Sequence, residues 1–163
     1  MSRGPPWHAQ TSRWPPRSPP PRSPPDRAPV ASPVPHPSTP RLTFKASHRL
    51  RHDLEFERVY KARVKKVAGP LVLHALPNAL AHHRLGLSIG RRVGPAVRRV
   101  LLKRHLREAF RLLQHDLPSH PSGGYDLVVG ASPHAPLDAA AYCDLLLTLA
   151  TQAHRVWQKR AAP

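Results

Sequence analysis

The chain has 163 residues, with 26 Lys or Arg against nine Asp or Glu, a net charge of +17 and a pI near 11.7. That balance lies far outside the range of ordinary cytosolic enzymes and argues for nucleic acid or an anionic membrane surface as partner. No stretch approaches the roughly 18 continuous apolar residues of a membrane span, the N-terminus MSRGPPWHAQ has no apolar signal core, and the single cysteine, Cys143, excludes an internal disulfide framework.

A reducing, cytoplasmic setting is therefore expected, with Cys143 a small buried hydrophobe in an apolar run. Fourteen of the 22 prolines fall in the first 40 residues, in repeats such as Arg17-Ser18-Pro19-Pro20 and Arg22-Ser23-Pro24-Pro25. Proline removes backbone donors and fixes φ, so residues 1–42 are expected to be a disordered Pro/Arg/Ser-rich extension sampling extended states. The five arginines in its first 40 residues would add only weak, salt-sensitive attraction to RNA. Residues 43–163 are expected to form one RNA-binding domain. Counted from residue 41, this part keeps 21 basic and eight acidic residues, so the positive charge is not confined to the extension.

Within that domain the periodicities alternate between helix and strand. Asp53 is expected to cap a helix running to about Ala62, with Glu55 and Glu57 in the first turn and Phe56, Val59 and Tyr60 on one face. Residues 63–67 read as a short strand, punctuated by Gly69-Pro70. Strands follow at 71–76 and 85–90, the second alternating Leu85, Leu87 and Ile89 with Gly86, Ser88 and Gly90. A basic helix runs from Ala96 to near His115, and a turn-rich stretch with Pro118, Pro121 and Gly123-Gly124 separates it from a strand at 125–131. Asp138 then caps a final helix through Leu145, Leu146, Leu149 and Val156 to Trp157. The order α-β-β-β-α-β-α implies an α+β fold, a two-layer sandwich with helices packed on a sheet.

The basic helix is the most informative element. From Gly90 to Gln114 there are eight Arg or Lys residues against one acid, Glu108. At 100° per residue, Leu102, Leu106, Ala109, Phe110 and Leu113 share an arc fit for burial, while Lys103, Arg104, Arg107 and Arg111 share another. A helix anchored on one side and cationic on the other holds its charges at fixed spacing, as a polyanionic backbone requires. A merely solvated face would carry mixed charge, whereas this one repels itself.

The ordered motifs resemble the protein subunit of bacterial ribonuclease P. That family's pattern is a strand ending in G-[LI]-S, a basic pair, then V-G-x-A-V-x-R-N-R-x-x-K-R-x-x-R-[EQ]-A-F. Here residues 86–110 read GLSIGRRVGPAVRRVLLKRHLREAF. The upstream R-L-x-x-x-x-x-F-x-x-V-[FY] pattern is met by Arg49, Leu50, Phe56, Val59 and Tyr60, and a downstream Y-D strand by Tyr125 to Val129. The resemblance spans nearly all of residues 45–160 and implies a sandwich of the type also seen in a ribosomal protein domain. It also implies a left-handed β-α-β crossover, against the usual right-handed rule.

The resemblance further implies that the holoenzyme removes the 5′ leader from precursor tRNA by Mg²⁺-assisted hydrolysis. Catalytic groups and metal would then belong mainly to a catalytic RNA subunit. The partners implied are ribonuclease P RNA and precursor tRNA, with no membrane and no small-molecule cofactor. By position, Arg91, Arg92, Arg99, Lys103, Arg104 and Arg107, with Arg98 beside them, would contact RNA. Phe56, Tyr60, His74 and Ser88 would line the cleft for the single-stranded leader. One departure stands out: where the family has Arg-Asn-Arg, this chain has Arg99-Val100-Leu101, so the Asn that helps contact RNA or organise metal is missing.

Protein-borne catalysis has little support. The 12 histidines show no zinc-site spacing, no carboxylate cluster suits a two-metal nuclease, and Gly123-Gly124 lacks the lysine and helix of a phosphate loop. No catalytic residue and no metal ligand are expected in the chain itself. A non-catalytic ribosomal or RNA-assembly protein of similar fold is the competing reading.

Overall fold

The computed structural model describes residues 42–161, and the Pro-rich extension, Leu42 aside, lies outside the described residues. The elements are α1 (Asp53–Lys61), β1 (Lys65–Ala68), β2 (Leu71–Pro77), β3 (Arg84–Ser88), α2 (Ala96–Leu113), β4 (Tyr125–Ala131) and α3 (Ala139–Ala161). This is the order read from the sequence. The strands form one sheet, β1-β2-β4-β3, antiparallel except for the β3–β4 pair. Because β3 and β4 are parallel neighbours, their connection must cross over, and α2 is that crossover.

Register divides the sheet into two faces. On one face Leu71, Leu73, Ala75, Leu85, Leu127 and Val129 are buried against α2 and α3. The α2 side contributes Leu102, Leu106, Ala109 and Phe110, as expected, with Leu113 half-buried at the margin. From α3 come Tyr142, Leu146, Leu149, Ala150 and Ala153, and Trp157 donates its indole N–H to the Ala75 carbonyl at 3.1 Å. The opposite face is covered only in part: α1 packs Val59 and Phe56 over Val128, Leu76 and Leu50. Beyond α1 this face lies open, with Ser88 exposed and Val72 and His74 half-buried.

Several boundaries differ from expectation for local reasons. Arg63 has φ 54°, a left-handed conformation that no strand accommodates, so β1 begins at Lys65. Asp53 is the first residue of α1 rather than its cap; the Glu55 carboxylate instead accepts the N–H groups of Arg51 (2.9 Å) and His52 (3.2 Å). β3 stops at Ser88 because the chain turns into a 3-10 segment, Arg91–Val93, pinned by buried Val93. Asp138 does cap the last helix, accepting from Ala141 N–H at 2.8 Å, but that helix continues past Trp157 to Ala161.

Two polar devices tie the layers together. Arg84 donates Nε and Nη2 to the two carboxylate oxygens of Asp126 (2.8 and 2.6 Å) and Nη1 to Glu55 (2.6 Å), linking β3, β4 and the start of α1. His83 is buried and its Nδ1 accepts the Tyr125 N–H at 3.0 Å, a bond that needs this nitrogen unprotonated. Burial lowers its pKa below the ordinary 6.5. The unfolded chain therefore takes up this proton first as pH falls. The stability His83 supplies is present above about pH 6.5 and is lost as pH falls from there through its lowered folded-state value. Thermal unfolding is expected to show a lower midpoint at pH 5.5 than at 7.5, with a flatter dependence for His83→Gln; an equal slope in that variant refutes the assignment.

Candidate nucleic-acid interface

The cationic residues of α2 divide by their angular position. Arg99, Lys103 and Arg107 stand four residues apart and form one ridge beside the buried stripe. Arg99 lies closest to the core, half-buried, and its Nε is covered without a hydrogen-bond partner. Arg104 and Arg107 are exposed, and Arg91 and Arg92 are exposed on the 3-10 turn that leads into the helix. Among the described residues, no ion pair involves Arg91, Arg92, Arg98, Arg99, Lys103, Arg104 or Arg107. Their charge is unspent.

Two other cations of α2 behave differently. Arg111 is clamped on Glu108 through Nε (2.9 Å) and Nη2 (2.6 Å), while its Nη1 donates to the Leu42 carbonyl at 2.8 Å. It neutralises the one acid of the helix and ties down the incoming chain. Arg98 leaves the ridge for the other flank, where it borders a small apolar pocket with Leu101, His105, His134 and Tyr142. The structure thus separates Arg98 from the Arg99–Lys103–Arg107 line it precedes in sequence.

Lys103 and Arg107 form one wall of a groove of about 300 Å³ whose apolar lining includes Phe44, Leu50, Phe56 and Leu87. Its other wall carries Arg49 and Arg51, from the segment just before α1. Arg49 lies over the Phe44 ring at 4.9 Å, and Leu50 N–H donates to the Leu85 carbonyl at 3.1 Å, which pins this segment along the β3 edge. Two cationic walls around aromatic rings suit a single strand: phosphates meet guanidinium or ammonium groups, and bases meet π-faces. Arg49, Arg51 and Phe44 were not among the expected site residues. The Arg49-Leu50-Arg51 run was a signal in the sequence, but only chain packing opposes it to α2.

The four expected cleft residues lie along the half-covered face of the sheet. His74 and Gly86 both pair with Val128, from opposite sides, and Ser88 pairs with Gly130 next along β4. The Phe56 ring lies over Gly86, where an added Cβ would come within 2.8 Å of it; the bare backbone lets α1 sit close to the sheet. Tyr60 is 39% exposed and meets His74 edge-on at 4.8 Å between ring centroids. Burial, then nearby Lys65, lowers the His74 pKa, so a neutral imidazole faces the cleft at neutral pH, with an Nδ1 that lacks a partner. Phe56 belongs to both surfaces, lining the cationic groove and packing on Val128.

The sequence model of one family, Ribonuclease P, matches residues 44–154 of this chain. The chain belongs to the Ribonuclease P family. A ribonuclease P protein component of Methylococcus capsulatus is 42% identical over 89 residues, a match spanning 54% of this chain and 66% of that protein. Among solved structures, the RNase P protein of Thermotoga maritima is similar with a TM-score of 0.55 and 29% identity, covering 64% of this chain and 96% of its own. The Staphylococcus aureus RNase P protein gives a TM-score of 0.56 at 25% identity, covering 65% of this chain and 94% of its own. All the interface residues of the groove and cleft lie inside the matched segment.

Against the family's Arg-Asn-Arg, the departure at Val100 and Leu101 is a surface feature. Val100 is 66% exposed, one turn before Lys103 and Arg104 and on their side of the helix; Leu101, 44% exposed, faces the Arg98 flank. Neither replacement fills the core. Among the described residues no helix is long and apolar enough to cross a membrane, and no group of three or more His, Cys, Asp or Glu is arranged to hold a metal.

Proposed function

We propose that this chain is the protein subunit of ribonuclease P, gripping the catalytic RNA with the basic face of α2 and the 5′ leader of precursor tRNA in the adjoining groove and cleft. The observation that carries this reading is six cations, Arg91, Arg92, Arg99, Lys103, Arg104 and Arg107, without carboxylate partners among the described residues, two of which border a groove lined by Phe44 and Phe56. Guanidinium groups stay charged and take phosphate oxygens two at a time, so they bind RNA backbone through charge and fork geometry. Aromatic stacking, worth roughly 1–3 kcal/mol per base, tolerates any sequence, which a leader that differs between tRNAs requires.

In this reading Mg²⁺ and the reacting groups belong to the RNA subunit. The protein lowers the Mg²⁺ demand by bringing fixed positive charge to two negative strands. The work belongs to the cytoplasm, where tRNA precursors are made. The competing reading, a ribosomal or assembly protein, requires RNA binding without processing. Purified chain added to its cognate RNA is expected to restore cleavage of precursor tRNA at low Mg²⁺, where the RNA alone is slow. Binding without that rescue refutes the proposal.

The exposed Val100 and Leu101 allow a second measurement. Restoring the family pattern with Val100→Asn and Leu101→Arg adds a donor-acceptor amide and a cation to the basic face without disturbing the core. Single-turnover cleavage across a Mg²⁺ titration is expected to become faster at low Mg²⁺ in the double variant, by roughly the tenfold that about 1.4 kcal/mol represents. No gain at any Mg²⁺ concentration counts against a cost at these two positions.

A further inference from the structure

We propose that the imidazole-lined pocket beside the C-terminal end of α2 is a second phosphate-binding site, distinct from the ridge and groove and independent of the tRNA-processing reading. The pocket measures about 190 Å³ and is lined by His48, His82, His83 and His115, with Gln114 and Ser119 among the remainder. Three separate segments build it: the 3-10 turn Ala46–His48, the β2–β3 connection, and the turn that follows α2. Residues 34 positions apart thus converge, and the His48 and His82 rings lie 4.9 Å apart, tilted by 40°. Nothing in the ridge-and-groove surface uses these side chains.

The hydrogen bonding of the cluster is incomplete. His82 Nε2 lies 3.3 Å from the Ser47 carbonyl, and His83 Nδ1 is taken by Tyr125 N–H. His48 Nδ1 is covered and has no partner. The charges that face His48 are all of one kind: Lys45 on its own turn, His82 from the β2–β3 connection and His115 from the end of α2. No histidine is within 4.0 Å of a carboxylate among the described residues, and Asp116, next to His115 in the chain, is exposed and unpaired. Burial first, and then these neighbours, hold the His48 pKa below 6.5.

Crowded imidazoles beside a lysine, with no acid to balance them, fit an oxyanion. His83 is spent on the Tyr125 N–H and the Leu117 backbone, but His48 and His82 each keep a nitrogen outside these bonds, and Lys45 adds a fixed charge. No three-ligand metal arrangement exists among the described residues, so donor chemistry favours an anion over a cation. A phosphodiester keeps its single negative charge through the range in which imidazoles gain theirs. Binding is therefore coupled to proton uptake and tightens as pH falls. The phosphate could come from RNA backbone or from a free ion, and two probes separate these sources.

The full chain is titrated with inorganic phosphate and, separately, with the uridine dinucleotide UpU, which carries one phosphodiester, while the His48 C2–H resonance is followed by NMR. A saturable shift of this signal is expected, with His105 and His134, on the Arg98 flank, unmoved. With UpU, affinity is expected to rise about tenfold between pH 7.5 and 5.5, the effect of taking up about half a proton over that range. The double variant His82→Gln, His115→Gln, at half-buried and exposed positions, is expected to lose about tenfold in that affinity at the lower pH. Saturation by UpU alone identifies RNA backbone, and saturation by inorganic phosphate alone identifies a free ion; either supports the site. A linear drift shared by all histidines, or an unchanged response in the double variant, overturns it. No RNA subunit enters the measurement, so its failure leaves the reconstitution result standing, and the reverse also holds.

Discussion

Arg99→Ala, Lys103→Ala and Arg107→Ala together are expected to weaken binding of the RNA subunit by about 100-fold at 0.15 M salt. Each cation on this ridge that neutralises one phosphate releases roughly 0.7–0.9 of a counterion. Loss of three should lower the log–log salt slope by about two to three, and the affinity change at physiological salt follows from that slope. Arg111→Ala serves as the comparison. Its guanidinium is already committed to Glu108 and the Leu42 carbonyl, so its removal should change the slope by less than one. Filter binding at four or five salt concentrations reads both quantities. A triple variant with an unaltered slope removes the ridge from the interface, whatever the change in affinity at a single salt.

The second large effect is expected on stability. Arg84→Met strips two carboxylates of their shared partner, leaving Asp126, 6% exposed, with only the Asn78 amide at 2.6 Å. Removing one member of a buried ion network strands the remaining charge and costs about 3 kcal/mol, at the low end of the range because Glu55 keeps some solvent. Adding Asp126→Asn should recover part of that loss, since it removes the stranded charge and keeps an oxygen for Asn78. Urea unfolding of the two variants reads the difference. If the double variant is less stable than the single by the full cost of its own substitution, the coupling through Arg84 is absent. Glu55 lies in the first turn of α1, so the same substitution should also loosen the proposed leader contact: Phe56 and Tyr60 ride on the helix that Arg84 holds against the sheet.

Much of this was legible in the linear order of residues. The alternation of Leu85 and Leu87 with Gly86 and Ser88 names a strand with two unlike faces, and the 100° spacing of Leu102, Leu106, Ala109 and Phe110 names the buried side of α2. The cleft residues Phe56, Tyr60, His74 and Ser88 came from motif order, and the structure brings them along one face because register pairs His74 and Gly86 with the same Val128. Boundaries were less legible where a single backbone angle decided them, as at Arg63. The opposing wall of Arg49 and Arg51 was out of reach, because its partners Lys103 and Arg107 are about 50 residues away.

The sequence by itself determined the charge, the helix and strand periods and the order of elements, since each depends on residue type and neighbours within a turn or two. Only the tertiary structure decided which cations remain free. Arg111 and Arg107 are the same residue type one turn apart, yet Glu108 neutralises the first, whose guanidinium also donates to a backbone carbonyl, while no carboxylate among the described residues pairs with the second. Tertiary contact also gathered His48, His82 and His115 into one pocket, because the chain closes on itself where β3 meets the turn before α1 and the end of α2. Local propensity is a property of short stretches. The partner of a charge or an imidazole is set by packing between segments that the chain separates.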